Sequence, residues 1–232
     1  MTSWPDTWPG REQPAPRRQP LSRERIVATA LTIIETEGLD ALSMRRVAQE
    51  LGTGAASLYA HIGNKDELLE QVLDLVYSEI TVETPDPARW QEQVKDHMRR
   101  ARKALTGHGD LARAAMAANV PVTPHALDSA EAMLALLKAG GLDDRTASYG
   151  VDVLSLLVTA TAFEESSRWQ VAAEDASAYG ERIRTFFESV PADRYPLVVA
   201  LAGELTRDVG DERFEFGLDI VVAGLARRVR SF

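Results

Sequence analysis

The chain has 232 residues, no cysteine, 45% hydrophobic residues and a net charge of −9. The length is enough for one or two domains with a sizeable core, and without cysteine there are no disulfides and no thiolate metal sites. No apolar run approaches the roughly 18 residues of a membrane span, and the N-terminus lacks the apolar segment of a signal peptide. The expectation is a cytoplasmic protein with no membrane partner. The charge is unevenly spread. Through Lys65, eight Lys/Arg stand against seven Asp/Glu, a balance of +1, and the remainder carries 18 against 28, a balance of −10. A nearly neutral head on an acidic body can still bind phosphate through locally placed cations.

Residues 1–20 hold five of the eleven prolines, with Arg11, Arg17 and Arg18. This composition builds no packed core. It reads as an unstructured leader or as a basic arm for a polyanion, and both readings stand. Ser22 caps a helix running to about Glu37, with Ile26, Val27, Ala30, Leu31 and Ile34 as its inward stripe and Gly38 as its stop. The stretch Leu42–Lys65 then reads as two short helices around a tight turn. Ser43 is a good N-cap, Val47, Ala48 and Leu51 share one face, and Gly52 follows where a helix end tolerates a left-handed residue. After Thr53-Gly54 a second segment carries Leu58, Tyr59 and Ile62. Asn64 with Glu67 reads as a capping box that opens a helix from Lys65 to about Thr81. Short helix, glycine-containing turn and short helix make the helix-turn-helix pattern, whose second helix enters the DNA major groove.

Thr84-Pro85-Asp86-Pro87 breaks the chain and marks a domain boundary. Beyond it the spacing predicts helices over about Ala88–Leu105, Leu111–Ala118, Pro124–Ala139 and Leu142–Trp169, with a break at Val120–Pro124. Residues 171–179 read as a loop, a short helix ends near Ser189, Pro191 and Pro196 bracket a turn, and a last helix covers Glu212–Arg230. No repeat and no strand period is present. The fold class is therefore all-α: an arm at 1–20, a three-helix helix-turn-helix DNA-binding domain at 21–83, and a helical domain at 84–232. The helices Leu142–Trp169 and Glu212–Arg230 are too apolar to face water, so a two-fold homodimer is expected.

Gly38, Ser43-Met44-Arg45-Arg46-Val47-Ala48, Leu51-Gly52, Ser57-Leu58-Tyr59, His61 and Asn64-Lys65, at these distances, resemble the DNA-binding domain of the TetR family of repressors. Phe214-Glu215-Phe216-Gly217-Leu218, Gly224-Leu225 and Phe163-Glu164-Glu165 resemble its tetracycline-repressor branch. The resemblance implies a regulator that leaves a palindromic double-stranded DNA operator when a small-molecule effector binds its body, making 84–232 a helical ligand-binding and dimerisation domain. It places DNA contacts at Ser43, Arg45, Arg46, Ala55, Ala56, Ser57, Tyr59, His61 and Lys65. The chemistry agrees: Arg45 can reach a guanine edge bidentately, and Ser57, Tyr59, His61 and Lys65 are phosphate-type donors. Ala55 and Ala56 offer only apolar contact, such as to a thymine methyl. Other readings stay open: Tyr59 as partly core, Arg46 as solvated, His61 as a helix-end histidine.

For the effector pocket, the polar candidates are His97, Asp152, Thr159 and Glu164. The apolar candidates are Met98, Met116, Met133, Tyr149, Phe163 and Trp169. Each has an alternative as core filler or solvated surface. Aligned on Trp90, His97 falls where the tetracycline repressor has an amide, Ala101 where it has an aromatic, and Ala115 where it has its magnesium-binding histidine. Those departures argue against magnesium–tetracycline and for a metal-free pocket, with no cofactor. A helical-bundle enzyme built on His97, Glu164 and Glu165 is one rival, but Glu-x-x-His pairs, a P-loop and a nucleophile elbow are missing, so the expectation is not an enzyme. A ligand-independent DNA-binding protein is the other rival.

Overall fold

Helices joined by turns and short irregular segments make up the described residues, with no strand among them. The structure, a computed structural model, describes residues 20–117, 122–169, 173–207 and 211–229, with the side chains of 167–177 outside the description. The arm at 1–20 thus lies outside the described residues except Pro20, as do Val120 and Pro121 of the break before Pro124.

The first helix, α1 (Arg23–Glu37), starts where Ser22 Oγ accepts from the Arg25 amide at 3.3 Å. It buries Ile26, Val27, Ala30, Ile33 and Ile34. Leu31, assigned inward by period, is only partly buried, and Ile33 takes that place. A 3-10 turn at Leu39–Ala41 leads to α2 (Met44–Glu50), α3 (Ala55–Leu58) and α4 (Lys65–Tyr77). α4 closes at Tyr77, four residues before the expected Thr81, and tight turns continue to Ile80, whose amide donates to Tyr77 O and whose side chain is buried.

The body comprises α5 (Trp90–Thr106), α6 (Leu111–Ala117), α7 (Pro124–Ala139), α8 (Asp144–Trp169), α9 (Ala173–Ser189), α10 (Pro196–Ala200), α11 (Ala202–Leu205) and α12 (Glu212–Ala226). The loop expected over 171–179 is not there: α9 begins at Ala173. Its Ala-Glu-rich start is small and polar yet made of good helix formers. Pro196 opens a helix instead of bracketing a turn, at the first helical position, where a missing N–H costs nothing. The last helix stops at Ala226, short of Arg230.

At the centre of the body is α8, packed against α5, α6, α7 and α12 and burying Ala147, Leu154, Val158 and Ala162. By length and composition, Asp144–Ser166 would suffice to cross a membrane, which corrects the expectation that no stretch approaches such a span. Here four helices cover it on one side. Its other side presents Tyr149, Val153 and Leu156, all exposed and spaced on one stripe. α12 lies against α5 and α8. An ionic row joins it to α5: Lys95 to Asp219 at 2.7 Å, Arg99 bidentately to Glu215 at 2.9 and 2.7 Å, and Arg102 to Asp211. The Arg102 guanidinium also covers the buried Phe214 ring, 4.7 Å from its centroid.

One buried cluster runs from α1 and α4 into α5, α6, α7, α8 and α12, so head and body share a core. Trp90, at the start of α5, lies flat against Gly140 at the end of α7. A Cβ added to Gly140 would sit 2.5 Å from the indole. Gly140→Ala is expected to lower unfolding stability by about 1–3 kcal/mol, the usual cost of overpacking a well-filled site. Urea titration followed by tryptophan fluorescence checks it.

Candidate nucleic-acid interface and buried polar cluster

The geometry of the head follows from its caps. Ser43 Oγ accepts from the Arg46 amide at 3.1 Å and starts α2. Gly52 has φ +64°, a left-handed value that favours glycine, and it lets the Thr53 amide return to Ala48 O at 2.9 Å. This turns the chain into α3, which is anchored by the fully buried Leu58 and followed by the buried Ile62. Asn64 Oδ1 accepts from the Glu67 amide at 2.8 Å, and Glu67 Oε2 accepts from Gly63 N at 2.7 Å. The capping box thus closes one residue before the N-cap. Arg23 ties α1 to this corner through His61 O at 2.8 Å and Glu67 at 3.0 Å.

With the apolar residues pinned inward, α3 turns Ala56, Ser57 and Tyr59 outward, and Tyr59 is 53% exposed. Ala55 is partly buried against the core, and His61 is half-buried. Arg45 and Lys65 are exposed, and neither has an ion-pair partner among the described residues. Arg46 differs. Its guanidinium takes Glu37 at 3.1 and 2.5 Å and Glu50 at 2.8 Å, bracing the end of α1 against α2. Hydrogen bonds to Glu37 and Glu50 raise its pKa further. Its position is therefore that of a brace within the head.

Head and body are joined at two places that sequence reasoning missed. Asp74, buried in α4, accepts from the His125 amide at 2.9 Å, from His125 Nδ1 at 2.9 Å and from the Ala126 amide at 3.4 Å. It caps the start of α7 from another helix. Burial pushes its carboxyl up, but bonds from His125 and Thr123 outweigh that and hold it below the ordinary range. The one signal in the sequence was a carboxylate among Val72, Leu73 and Val76. The second joint is the turn before α6. His108 places Nδ1 2.6 Å from Glu35 and Nε2 2.9 Å from Glu79, and Arg113 pairs with Asp40 at 2.5 Å.

The candidate pocket residues divide. His97 is 1% exposed, and Met98 and Met133 are also buried. Thr159 and Phe163 are half-buried. Met116, Tyr149 and Asp152 do not turn inward: all three are exposed, Tyr149 and Asp152 on the outer stripe of α8 with Val153 and Leu156. Their sequence positions fitted a pocket because period alone does not tell which face of an apolar helix is covered. The side chain of Trp169 lies outside the described residues. Ala101 is buried and Ala115 half-buried. Glu164 and Glu165, which carried the enzyme alternative, are tied to Arg213 and Arg102 respectively.

His97 Nε2 lies 3.0 Å from Ser129 Oγ of α7, while Nδ1 has no partner. Burial first, and then the nearby Arg100, push its pKa down to about 4, against a smaller opposing effect of Glu83. The ring is neutral at pH 7. Arg100 binds Glu83 at 2.7 Å through Nη1, and its Nε and Nη2 are buried without partners. Gln93 holds the same linker, donating to Thr84 O at 2.8 Å and accepting from the Asp86 amide at 2.7 Å. Arg100 carries no motif. Its spacing of three from His97, on one side of α5, was the available signal.

A glycine-turned helix pair with an exposed polar face, carried on a larger helical body, defines a helix-turn-helix DNA-binding regulator. The comparisons agree. The family described as "Bacterial regulatory proteins, tetR family" matches residues 26–72, and "Tetracyclin repressor-like, C-terminal domain" matches residues 84–229. The chain belongs to the TetR family of transcriptional regulators. It is similar to ActR of Streptomyces coelicolor, whose structure with actinorhodin has 50% identity and a TM-score of 0.83 over 89% of this chain and 95% of that one. An HTH-type transcriptional regulator of Saccharopolyspora erythraea is 30% identical over 89% of this chain and 85% of its own length. The structure of BioQ with its double-stranded DNA operator has 25% identity and a TM-score of 0.63 over 89% of this chain and 99% of that one.

The neutral, buried His97 has a consequence for stability. The unfolded ring takes up a proton near the ordinary histidine value of 6.5, the folded ring only near 4, so between these values the unfolded state binds more protons. Stability is expected to fall as pH drops from 6.5 towards 4, by up to about 3 kcal/mol from this group. His97→Gln should flatten that part of the curve. Urea unfolding of both proteins at pH 7.5, 6, 5 and 4.5 checks it.

Proposed function

We propose that this chain is a homodimeric repressor that holds a palindromic DNA operator and releases it when a metal-free small molecule binds its body. The observation that carries the reading is the outward face of the head: Ala56, Ser57 and Tyr59 exposed, flanked by Arg45 and Lys65 with no internal ion pair among the described residues. Arg45 reads a base edge. Ser43, Ser57, Tyr59, His61 and Lys65 set register on phosphate, and Ala55 and Ala56 approach thymine methyls. Arg46 supports α2 from behind.

Dimerisation follows from the apolar faces left on α8 and α12. Tyr149, Val153, Leu156, Phe216 and Ile220 are exposed, Phe216 by 67%. Two helices with such stripes bury them against their copies. Two heads about one helical turn of DNA apart then require a partial palindrome. ActR was seen bound to actinorhodin and to (S)-DNPA, which supports an effector-binding body here. Ala101 and Ala115 stand where a magnesium–tetracycline site needs an aromatic and a histidine, so that complex is not the effector. His97, Met98, Met133, Thr159 and Phe163 are the inward candidates for contact. An effector that prefers the arrangement in which the heads no longer fit the operator shifts the population off DNA. The shared core and the Asp74 cap give that shift a mechanical route through α4.

Selection of binding sites from random double-stranded DNA, at stated salt, tests the reading, and compounds are then screened for release. A recovered palindrome supports it. No enrichment by folded, dimeric protein removes it. Arg45→Ala is expected to lose about 1–3 kcal/mol on the selected site and its preference over random DNA. Lys65→Ala should weaken both DNAs alike, with a shallower salt dependence. Equal losses on both DNAs for both variants would refute these roles. Phe216→Glu is expected to convert the dimer to monomer in sedimentation and to abolish cooperative binding to the full palindrome.

A further inference from the structure

Two side chains on one side of α5 hold buried donors with nothing to donate to. His97 is 99% covered by its surroundings, at 1% exposure, and its Nδ1 has no partner. Arg100 gives Nη1 to Glu83, while Nε and Nη2 remain buried and unpaired. Buried polar atoms in native proteins are nearly always satisfied, so three such atoms within one turn of helix need a physical account. The chemistry of the pair is specific. Nε and Nη2 form the side-on edge of a guanidinium, two parallel N–H donors spaced for the two oxygens of a carboxylate. When Ser129 donates to Nε2 of the neutral His97, Nδ1 carries the proton and is a third buried donor, on the same helix three residues from Arg100.

We propose that the Nε–Nη2 edge of Arg100, with Nδ1 of His97, receives a carboxylate on the effector of the body domain. This rests on the effector-binding reading above and names the chemical class of ligand. Ser129 positions the histidine from α7, and Glu83 holds the other end of the guanidinium. Glu83 belongs to the segment joining α4 to α5, so the residue that takes the anion also touches the connection to the head. Met98 and Met133, buried on the same two helices as His97 and Ser129, are adaptable apolar side chains that suit the hydrophobic part of such an acid.

The test is calorimetric titration of the full-length dimer at pH 7.5 with a matched pair, anthraquinone-2-carboxylate and anthraquinone-2-carboxamide. Wild-type protein is expected to prefer the carboxylate by about thirtyfold or more, the scale of a buried charge-assisted pair. Arg100→Gln should erase that preference and leave carboxamide affinity within about twofold, since the apolar scaffold contact remains. Should Arg100→Gln fail to fold by circular dichroism, Arg100→Lys serves, because it keeps the charge but loses the side-on fork; most of the preference should still vanish. Equal wild-type affinity for the two compounds overturns the assignment, as does a preference kept in a folded variant. Both outcomes leave the effector reading intact, because a compound still binds. Binding of neither compound also overturns the assignment, and the release screen alone then decides the effector reading.

Discussion

Among the contacts that join the two halves of this protein, one carboxylate lends the head's own polar atoms to a helix of the body. Asp74 lies inside the apolar face of α4, the last helix of the head, and takes the first free amides of α7 in the body. A helix start normally supplies its own cap. Here Thr123 makes no capping bond, and Pro124 opens the helix behind it. The cap is lent across the domain boundary, so α7 and α4 move together or the exposed amides and the buried charge both go unpaired. The continuous buried cluster around this contact leaves no soft layer between head and body. Any rearrangement of the body that shifts α7 therefore reaches the head directly.

The charges follow the same division of labour. In the body, cations are mostly used internally: Lys95, Arg99 and Arg102 bind the acidic side of α12, and Arg113 binds Asp40. In the head, two adjacent arginines have opposite fates. Arg46 is closed between Glu37 and Glu50, whereas Arg45 projects into solvent. Both have the same residue type and neighbouring positions, and a 100° step around α2 separates a structural brace from a surface donor. A net charge of −9 is compatible with DNA binding because Arg45 and Lys65 of the head are exposed and have no ion-pair partner among the described residues.

The helix-turn-helix, its caps and the family could be read from residue types alone. Their physics is local: a serine or asparagine before a helix, a glycine where φ turns positive, and apolar residues at helical spacing all act within a few residues of themselves. The same holds for the all-helical class and for the unpartnered stripes of α8 and α12, since period 3.6 exposes an apolar face wherever it lies. Where local signals were weak, the reading slipped. Small polar residues at 173–179 looked like a loop but extend a helix, and the segment around Pro196 folded into two short helices that no capping motif announced.

What tertiary structure alone decided is which faces meet. Tyr149 and Asp152 had the composition of pocket residues, yet α8 turns them outward because its opposite side is filled by α5, α6 and α7. Asp74, Arg100 and His108 carry no motif, and their importance arises from partners 51, 17 and 73 residues away. The sequence by itself determined most of the elements, the helix-turn-helix head and the family, because short-range sterics and hydrogen bonding specify them. The joints and the buried polar cluster emerged only on folding, because a buried charge takes its meaning from whatever the rest of the chain packs against it.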